Sequence, residues 1–414
     1  LGISCIAAAA GAAGHEVMGL DLMFSEDAVA DVRKAIRRFD PECVGVSVRN
    51  IDNQDMRHSI FFPAEVRDNV EVIESETDAP IVLGGAGFTI FPLECLEYFG
   101  LELGVVGEGE VAFPRLLEHL AEGLDPAELP GIAVRRGSDA RVNLPVLSPD
   151  FNALEPPDRE AFDVTPYNWV PGAPGTPFVA NAQARRGCHM KCIYCANPLI
   201  EGRAIRVRDP VSVADELLLL EENHGVRFVC FTDALFNQPI EYSAVLCREI
   251  ESRNLSTRWT CSLAPVDVDA WMLELMRRAG CVFLSVGNES GSNDMLTALR
   301  KGFSREDILR TVREARNLGF TIQCFLLLGG PGETRHTVEE SVDFLEEIDP
   351  QGVTVTVGVR IYPGCELHDI AVREGVVKPG QNLLDPAFYI SREVEPWLYE
   401  YMRGVCDGRP GWVM

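Results

Sequence analysis

Positive charge is what this 414-residue chain is short of: 37 lysines and arginines stand against 63 aspartates and glutamates, a formal net charge of −26. Proteins that follow a nucleic-acid backbone do so by neutralising phosphates with basic side chains, so nucleic acid is not an expected partner. No apolar run approaches the length of a membrane span, which sets a membrane partner aside. Neither does a charged-then-apolar leader with a small-residue cleavage site open the sequence. The 13 cysteines are an odd number without a pairing rhythm, so the expected compartment is a reducing cytoplasm rather than an oxidising one. At 46% hydrophobic residues the chain has the composition of a packed globular protein, and its length allows two or three domains.

Three of the cysteines are concentrated in Arg185-Arg186-Gly187-Cys188-His189-Met190-Lys191-Cys192-Ile193-Tyr194-Cys195, at spacings of four and then three. Thiolates converging from one short loop are first of all a metal site. A closed zinc site needs a fourth ligand, and His189, between the first two cysteines, is poorly placed to complete a tetrahedron. A four-iron cube held by three cysteines leaves one iron open to a further ligand. The spacing therefore favours iron and sulfide, with Cys188, Cys192 and Cys195 as ligands.

This CxxxCxxC loop, with an aromatic residue before its last cysteine, resembles the signature of the radical S-adenosylmethionine superfamily. The resemblance implies a 4Fe-4S cluster whose open iron is chelated by S-adenosylmethionine, with Tyr194 beside the adenine. The segments that follow fit it. Strands are expected at 177–182, 227–231, 257–262, 281–286, 320–328 and 353–359, alternating with helices at 211–223, 241–251, 269–278, 305–318 and 334–348. Six repeats are too few for a closed eightfold barrel and match an open, partial (β/α)6 barrel whose cluster loop follows the first strand. Chemistry in such a fold gathers at the carboxyl ends of the strands. There the resemblance implies Asp233 as partner of the methionine amino group, and Glu289 with Ser290 at the ribose or amino-acid moiety. It also implies a bare turn at Gly329 and Gly330 for close approach of the cofactor, and Ile361, in Arg360-Ile361-Tyr362-Pro363-Gly364, at the adenine. Glu333 either joins this set or only begins the helix after it. Cys261 and Cys324, within apolar strands, read as inert packing thiols.

Upstream, helix and strand also alternate: helices at 1–13, 28–39, 62–76 and 110–122, strands at 17–22, 43–48, 81–83 and 101–106. That is the pattern of a doubly wound, Rossmann-like α/β domain, with ligands beyond the strands' carboxyl ends. Those ends carry Arg49 and Asn50, then Gly84, Gly85 and Gly87, then Gly107 and Glu108. With Gly84-Gly85-Ala86-Gly87-Phe88 and Gly107-Glu108-Gly109-Glu110, the domain resembles the cobalamin-binding domain that precedes many radical S-adenosylmethionine enzymes. The sequence opens where such domains have usually laid down one strand already. The DxHxxG loop that supplies a lower axial histidine elsewhere is absent, and Arg49, Asn50 and Asp52 stand there instead, with His58 nearby. Arg49 then either faces the corrin or forms a surface ion pair.

The expected division is a cobalamin-binding domain over 1–130, a hairpin and proline-rich connector over 131–176, the partial barrel over 177–372 and a tail over 373–414. Phe151, Phe162, Tyr167 and Trp169 make the connector too apolar for a free tether. The tail's aromatic residues either cover a cavity or close the barrel, and its lack of a cysteine cluster argues against a second iron–sulfur centre. The resemblance implies a cobalamin-dependent methyltransferase acting on an unactivated carbon, or on phosphorus, of a small molecule or peptide. A reductant such as flavodoxin or ferredoxin would serve the cluster. With Arg49 under the cobalt, a polar transfer to an aromatic ring such as indole becomes conceivable. The alternatives are a cyclisation, rearrangement or oxidation with cobalamin auxiliary or absent, a methylthiolation of transfer RNA that the acidic balance disfavours, and a non-catalytic sensor.

Overall fold

The structure, a computed structural model, describes residues 1–145, 147–162, 167 and 179–414. The amino-terminal region runs α1 (Gly2–Ala12), α2 (Ala28–Phe39), β1 (Val44–Ser47), α3 (Pro63–Glu76), β2 (Ile81–Gly84), α4 (Ala86–Ile90), α5 (Pro92–Phe99), β3 (Leu103–Val105) and α6 (Gly109–Ala121). The first three strands pair in parallel. α2 starts where the Asp27 carboxylate accepts the Ala30 amide, and its buried Val32 and Ile36, four residues apart, share one face.

No strand forms over 17–22. Instead, a Cβ on Gly19 would strike the Ala161 carbonyl and the Phe162 ring, so this stretch lies against the connector and has no strand partner among the described residues. The hairpin β4 (Ile132–Arg136) and β5 (Asp139–Val142) pairs antiparallel with β3 and completes the amino-terminal sheet. Ile132, Ala133 and Val134 are all buried, and three consecutive apolar residues find cover on both faces only as an inner strand.

The second sheet is parallel and open. Its strands are β6 (Val179–Ala182), β9 (Phe228–Phe231), β10 (Arg258–Leu263), β11 (Cys281–Glu289), β12 (Thr321–Leu328) and β13 (Gly352–Val357), side by side in that order. The short ribbon β7 (Arg185–Arg186) and β8 (Arg206–Val207) brackets the cysteine loop. A turn at Gly358, with φ of +84°, breaks the expected sixth strand, so that β14 (Val359–Arg360) pairs instead with β15 (Phe388–Tyr389). The tail adds β16 (Trp412–Val413) to the edge of the sheet beside β13. Pro177 and Trp169 lie outside the described residues. Phe151 of the connector is buried under Arg186, whose guanidinium lies 4.5 Å from its ring centre, and the Tyr167 hydroxyl bonds Asp21 at 2.6 Å.

One apolar core runs through both regions: Val48, Phe88 and Phe91 pack in the same cluster as Ile193, Leu299, Val359 and Ile361. The loop after β1 is pinned there as well. Asp52 and Arg360, 308 residues apart, form an ion pair at 2.7 Å with both side chains at most 2% exposed.

Candidate active site

The cysteine loop is held by main-chain bonds rather than by regular structure. Gly187, at φ +96°, allows the turn, and a side chain there would meet the Ala204 carbonyl. The amides of Cys188 and Ile193 donate to the carbonyls of Gly202 and Leu299 at 3.1 and 3.3 Å, and the Ile193 carbonyl accepts from Leu367 at 2.9 Å. All three cysteines are free. Cys188 feels the charge of Cys192, and Cys195 that of both others. Burial pushes Cys195 up to about 11 and raises Cys188 and Cys192, while the amides of Met190 and Asn197 point at Cys188 and Cys195 and favour their thiolates. Among the described residues, no three His, Cys, Asp or Glu side chains converge on a single-ion site. A cube takes one thiolate per iron, so its ligands need not meet at one point. Three unpaired, electrostatically coupled thiols with amides aimed at them fit such a group.

Arg185 and Asp233 brace the loop from below. The Asp233 carboxylate accepts the amides of Ala184 and Arg185 at 2.8 and 3.2 Å and the Arg185 Nε at 3.0 Å. Arg185 Nη1 also donates to the Gln238 carbonyl and Ser243 Oγ, and the guanidinium lies between Phe236 and Tyr242. Asp233, expected at a ligand's amino group, is here 2% exposed with both oxygens engaged by Arg185 and the main chain. Ser290 is likewise buried, sharing a hydrogen bond with Ser341 at 2.8 Å and accepting the Ser292 amide. Gly329 and Gly330 serve their own turn. Gly329 adopts φ +97°, donates to Glu333 and accepts from Ser391, and a Cβ on Gly330 would come within 3.3 Å of Leu299 and Met295. Ile361 is fully buried, and its amide bonds the Ala387 carbonyl. Glu333, 1% exposed, accepts from Gly329 and Thr337, and Thr334 rather than Glu333 caps the following helix.

Glu289 does reach open space. It ends β11 in a left-handed conformation, φ +62°, beside a shift in the β11–β12 register. Its carboxylate meets Lys301 Nζ at 3.1 Å, and the same ammonium donates to Tyr194 Oη at 3.1 Å. Lys301 is 5% exposed. Burial works against its charge, but Glu289 and the thiols outweigh this and hold the ammonium protonated. Burial, then Glu289, raises Tyr194 well above its usual value. Glu289 and Tyr194 line a cavity of about 280 Å³ with Phe325, Leu327, Thr356 and Tyr362, and Gln54 enters it from the loop after β1. Arg360 lies on the same wall, but its Nε is taken by Asp52, and its Nη atoms donate to the carbonyls of Ile361, Ala387 and Leu383.

At the amino-terminal sheet, Arg49 and Asn50 stand exposed at the carboxyl end of β1, and no described carboxylate pairs with Arg49. Gly85, at φ +99°, and Gly87 let α4 lie against the Val48 carbonyl, 2.7 and 3.0 Å from where a Cβ would sit, while Gly84 has no such close neighbour. Gly107, at φ +78°, faces Pro145 and donates to Thr89 Oγ1. Gly85, Gly87 and Gly107 serve close packing within the domain and against Pro145, so what a ligand lying across the strand ends would meet is the exposed polar pair Arg49 and Asn50. Glu108 is not among them: it is buried, pairs with Arg206 at 2.6 Å and Arg186 at 3.4 Å, and accepts the Ser148 amide. Expected at a cofactor, it here ties the sheet to the cysteine loop's ribbon. Sequence reasoning missed Gln54 and Lys301. It quoted Arg360 and Asp52 without joining them, since nothing local relates residues 308 positions apart.

Two family models match the chain: the B12 binding domain over residues 1–117 and the Radical SAM superfamily over residues 184–345. The chain is 28% identical to tryptophan 2-C-methyltransferase of Streptomyces laurentii over 85% of its own length and 68% of the relative's. It is 25% identical to an uncharacterized methyltransferase of Pyrococcus horikoshii, covering 88% of this chain and 76% of that one. Among solved structures, the methyltransferase TsrM of Kitasatospora setae, with tryptophan substrate and the analogue aza-SAM bound, superposes with a TM-score of 0.82. The identity there is 26%, over 98% of this chain and 84% of that one.

Proposed function

We propose, from the premise that this chain is a radical S-adenosylmethionine enzyme built onto a B12-binding domain, that it methylates a carbon of one small, largely apolar molecule of about the size of an aromatic amino acid. The observation that carries this reading is the shared cavity. Gln54 comes to it from the B12-binding domain, and Tyr194 comes from between two of the cysteines. When bound, cobalamin and S-adenosylmethionine at a 4Fe-4S cluster supply a methyl carrier and a methyl or radical source, chemistry that side chains lack.

The chain's own residues do the rest. Cys188, Cys192 and Cys195 would hold the cluster, and because burial favours their thiols, loading it would expel protons. Phe325, Leu326, Leu327 and Val359 give the cavity its apolar lining, and Tyr362 and Tyr194 offer ring faces to a flat substrate. The Gln54 amide and Thr356 hydroxyl provide the orienting polar contacts. Arg360 is saturated by Asp52 and three carbonyls, so it shapes the wall instead of gripping a carboxylate. Arg49 and Asn50, exposed at the end of β1, would be the side chains to meet the corrinoid.

Tryptophan is the first substrate to try. Anaerobically reconstituted protein given cobalamin, S-adenosylmethionine, reductant and tryptophan should release S-adenosylhomocysteine in step with a product heavier by one methyl group. Release of 5′-deoxyadenosine with no methylated product from tryptophan or related aromatic molecules would turn the reading toward rearrangement or oxidation.

A further inference from the structure

Lys301 lies on the loop that follows the short helix Asn293–Ala298, and no feature of the cysteine motif points to it. That loop is fastened to the cysteine loop. The Leu299 carbonyl accepts the Ile193 amide, the Lys301 amide donates to Leu296, and Arg300, at φ +56°, pairs with Glu366 at 2.7 Å beside the Leu367–Ile193 bond. The ammonium is therefore fixed in place, 5% exposed, between Glu289 and Tyr194. Its charge acts most on Cys192 and less on Cys188 and Cys195. Glu289 presses the opposite charge on Cys192.

We propose that Lys301 and Glu289 form a charge pair that sets the reduction potential of the cluster held by the three cysteines. This rests on the reading of the cysteine loop given above. Reduction adds one negative charge to the cluster, and a fixed cation in a dry setting stabilises that charge while a fixed anion opposes it. Lys301 therefore raises the potential and Glu289 lowers it. The pair lets the chain carry a buried cation next to the cluster without leaving either charge unpartnered.

The test is an electron paramagnetic resonance titration of the reconstituted protein, without substrate, against potential. Lys301→Met should shift the midpoint negative, Lys301→Arg should restore most of the shift, and Glu289→Gln should shift the midpoint positive. A purely structural role predicts something else, because loosening the same site admits water in either variant and moves both midpoints in one direction. Midpoints that move together, or stay at the wild-type value, overturn the proposal. If Lys301→Met does not fold by circular dichroism, the sign of the Glu289→Gln shift still decides it. Protein that holds no iron at all would instead defeat the reading of the cysteine loop, a different outcome from an unmoved midpoint.

Discussion

At the scale of single residues, the cysteine loop stands out in the sequence because three of one rare type at fixed spacing need no tertiary information. The arginine partners of Asp233 and Glu108 were hidden for the opposite reason: a carboxylate at a strand end reads the same whether it meets a ligand or an arginine brought in from elsewhere in the chain. Glu333 had two readings, and the structure gives it a third task, holding the Gly329 turn from a buried position. Burial lifts its carboxyl to about 7 from the ordinary 4.5, against the pull of Thr337 and Gly329. The native state thus keeps a proton that the unfolded chain has lost, so this residue's contribution to stability is present below pH 4.5 and falls as pH rises toward 7. The loss is on the order of 3 kcal/mol. Glu333→Gln should flatten that slope. Urea unfolding at pH 5 and pH 7.5 checks it: the variant is expected to gain on the wild type at the higher pH, and an equal difference at both values would refute the assignment.

At the scale of elements, helices and inner strands followed their apolar periodicity closely, since each needs only its own pattern and a capping residue. The stretch over 17–22 failed because a strand also needs a neighbour, and an alternating pattern does not say whether one is free. The break at Gly358 was hidden inside an apolar run. Its φ of +84° suits glycine, and a Cβ there would sit 2.7 Å from Met56 Sδ in the loop after β1. Gly358→Ala should cost about 1–2 kcal/mol from backbone strain alone. It should also push the Met56 loop off the barrel, read as a lower melting temperature with faster proteolytic cleavage within residues 53–60. A melting temperature and cleavage rate equal to wild type would mean that the turn does not hold the loop.

At the scale of the whole molecule, both domain types were readable from the order of elements, whereas their joint was not. That joint rests on a continuous apolar core, on the Glu108 pairs with Arg186 and Arg206, and on Asp52 with Arg360. Removing one partner of the last pair leaves a buried charge alone, so Asp52→Ala or Arg360→Met should each destabilise by roughly 3–5 kcal/mol. The double variant should fall well short of the sum, because the second change removes the orphaned charge left by the first. Additive losses in urea titrations would place the two residues in separate interactions.

The central claim is that one chain holds an iron–sulfur cube at Cys188, Cys192 and Cys195 and a corrinoid across the strand ends of its other domain. The most direct measurement is the metal, sulfide and corrinoid content of protein purified anaerobically from cells grown with cobalamin. The account predicts a brown protein with about four irons and matching sulfide per chain, together with a corrinoid of defined mass, and loss of the iron in the triple Cys→Ser variant while the corrinoid remains. Colourless protein containing zinc, with iron and corrinoid both absent, would contradict it.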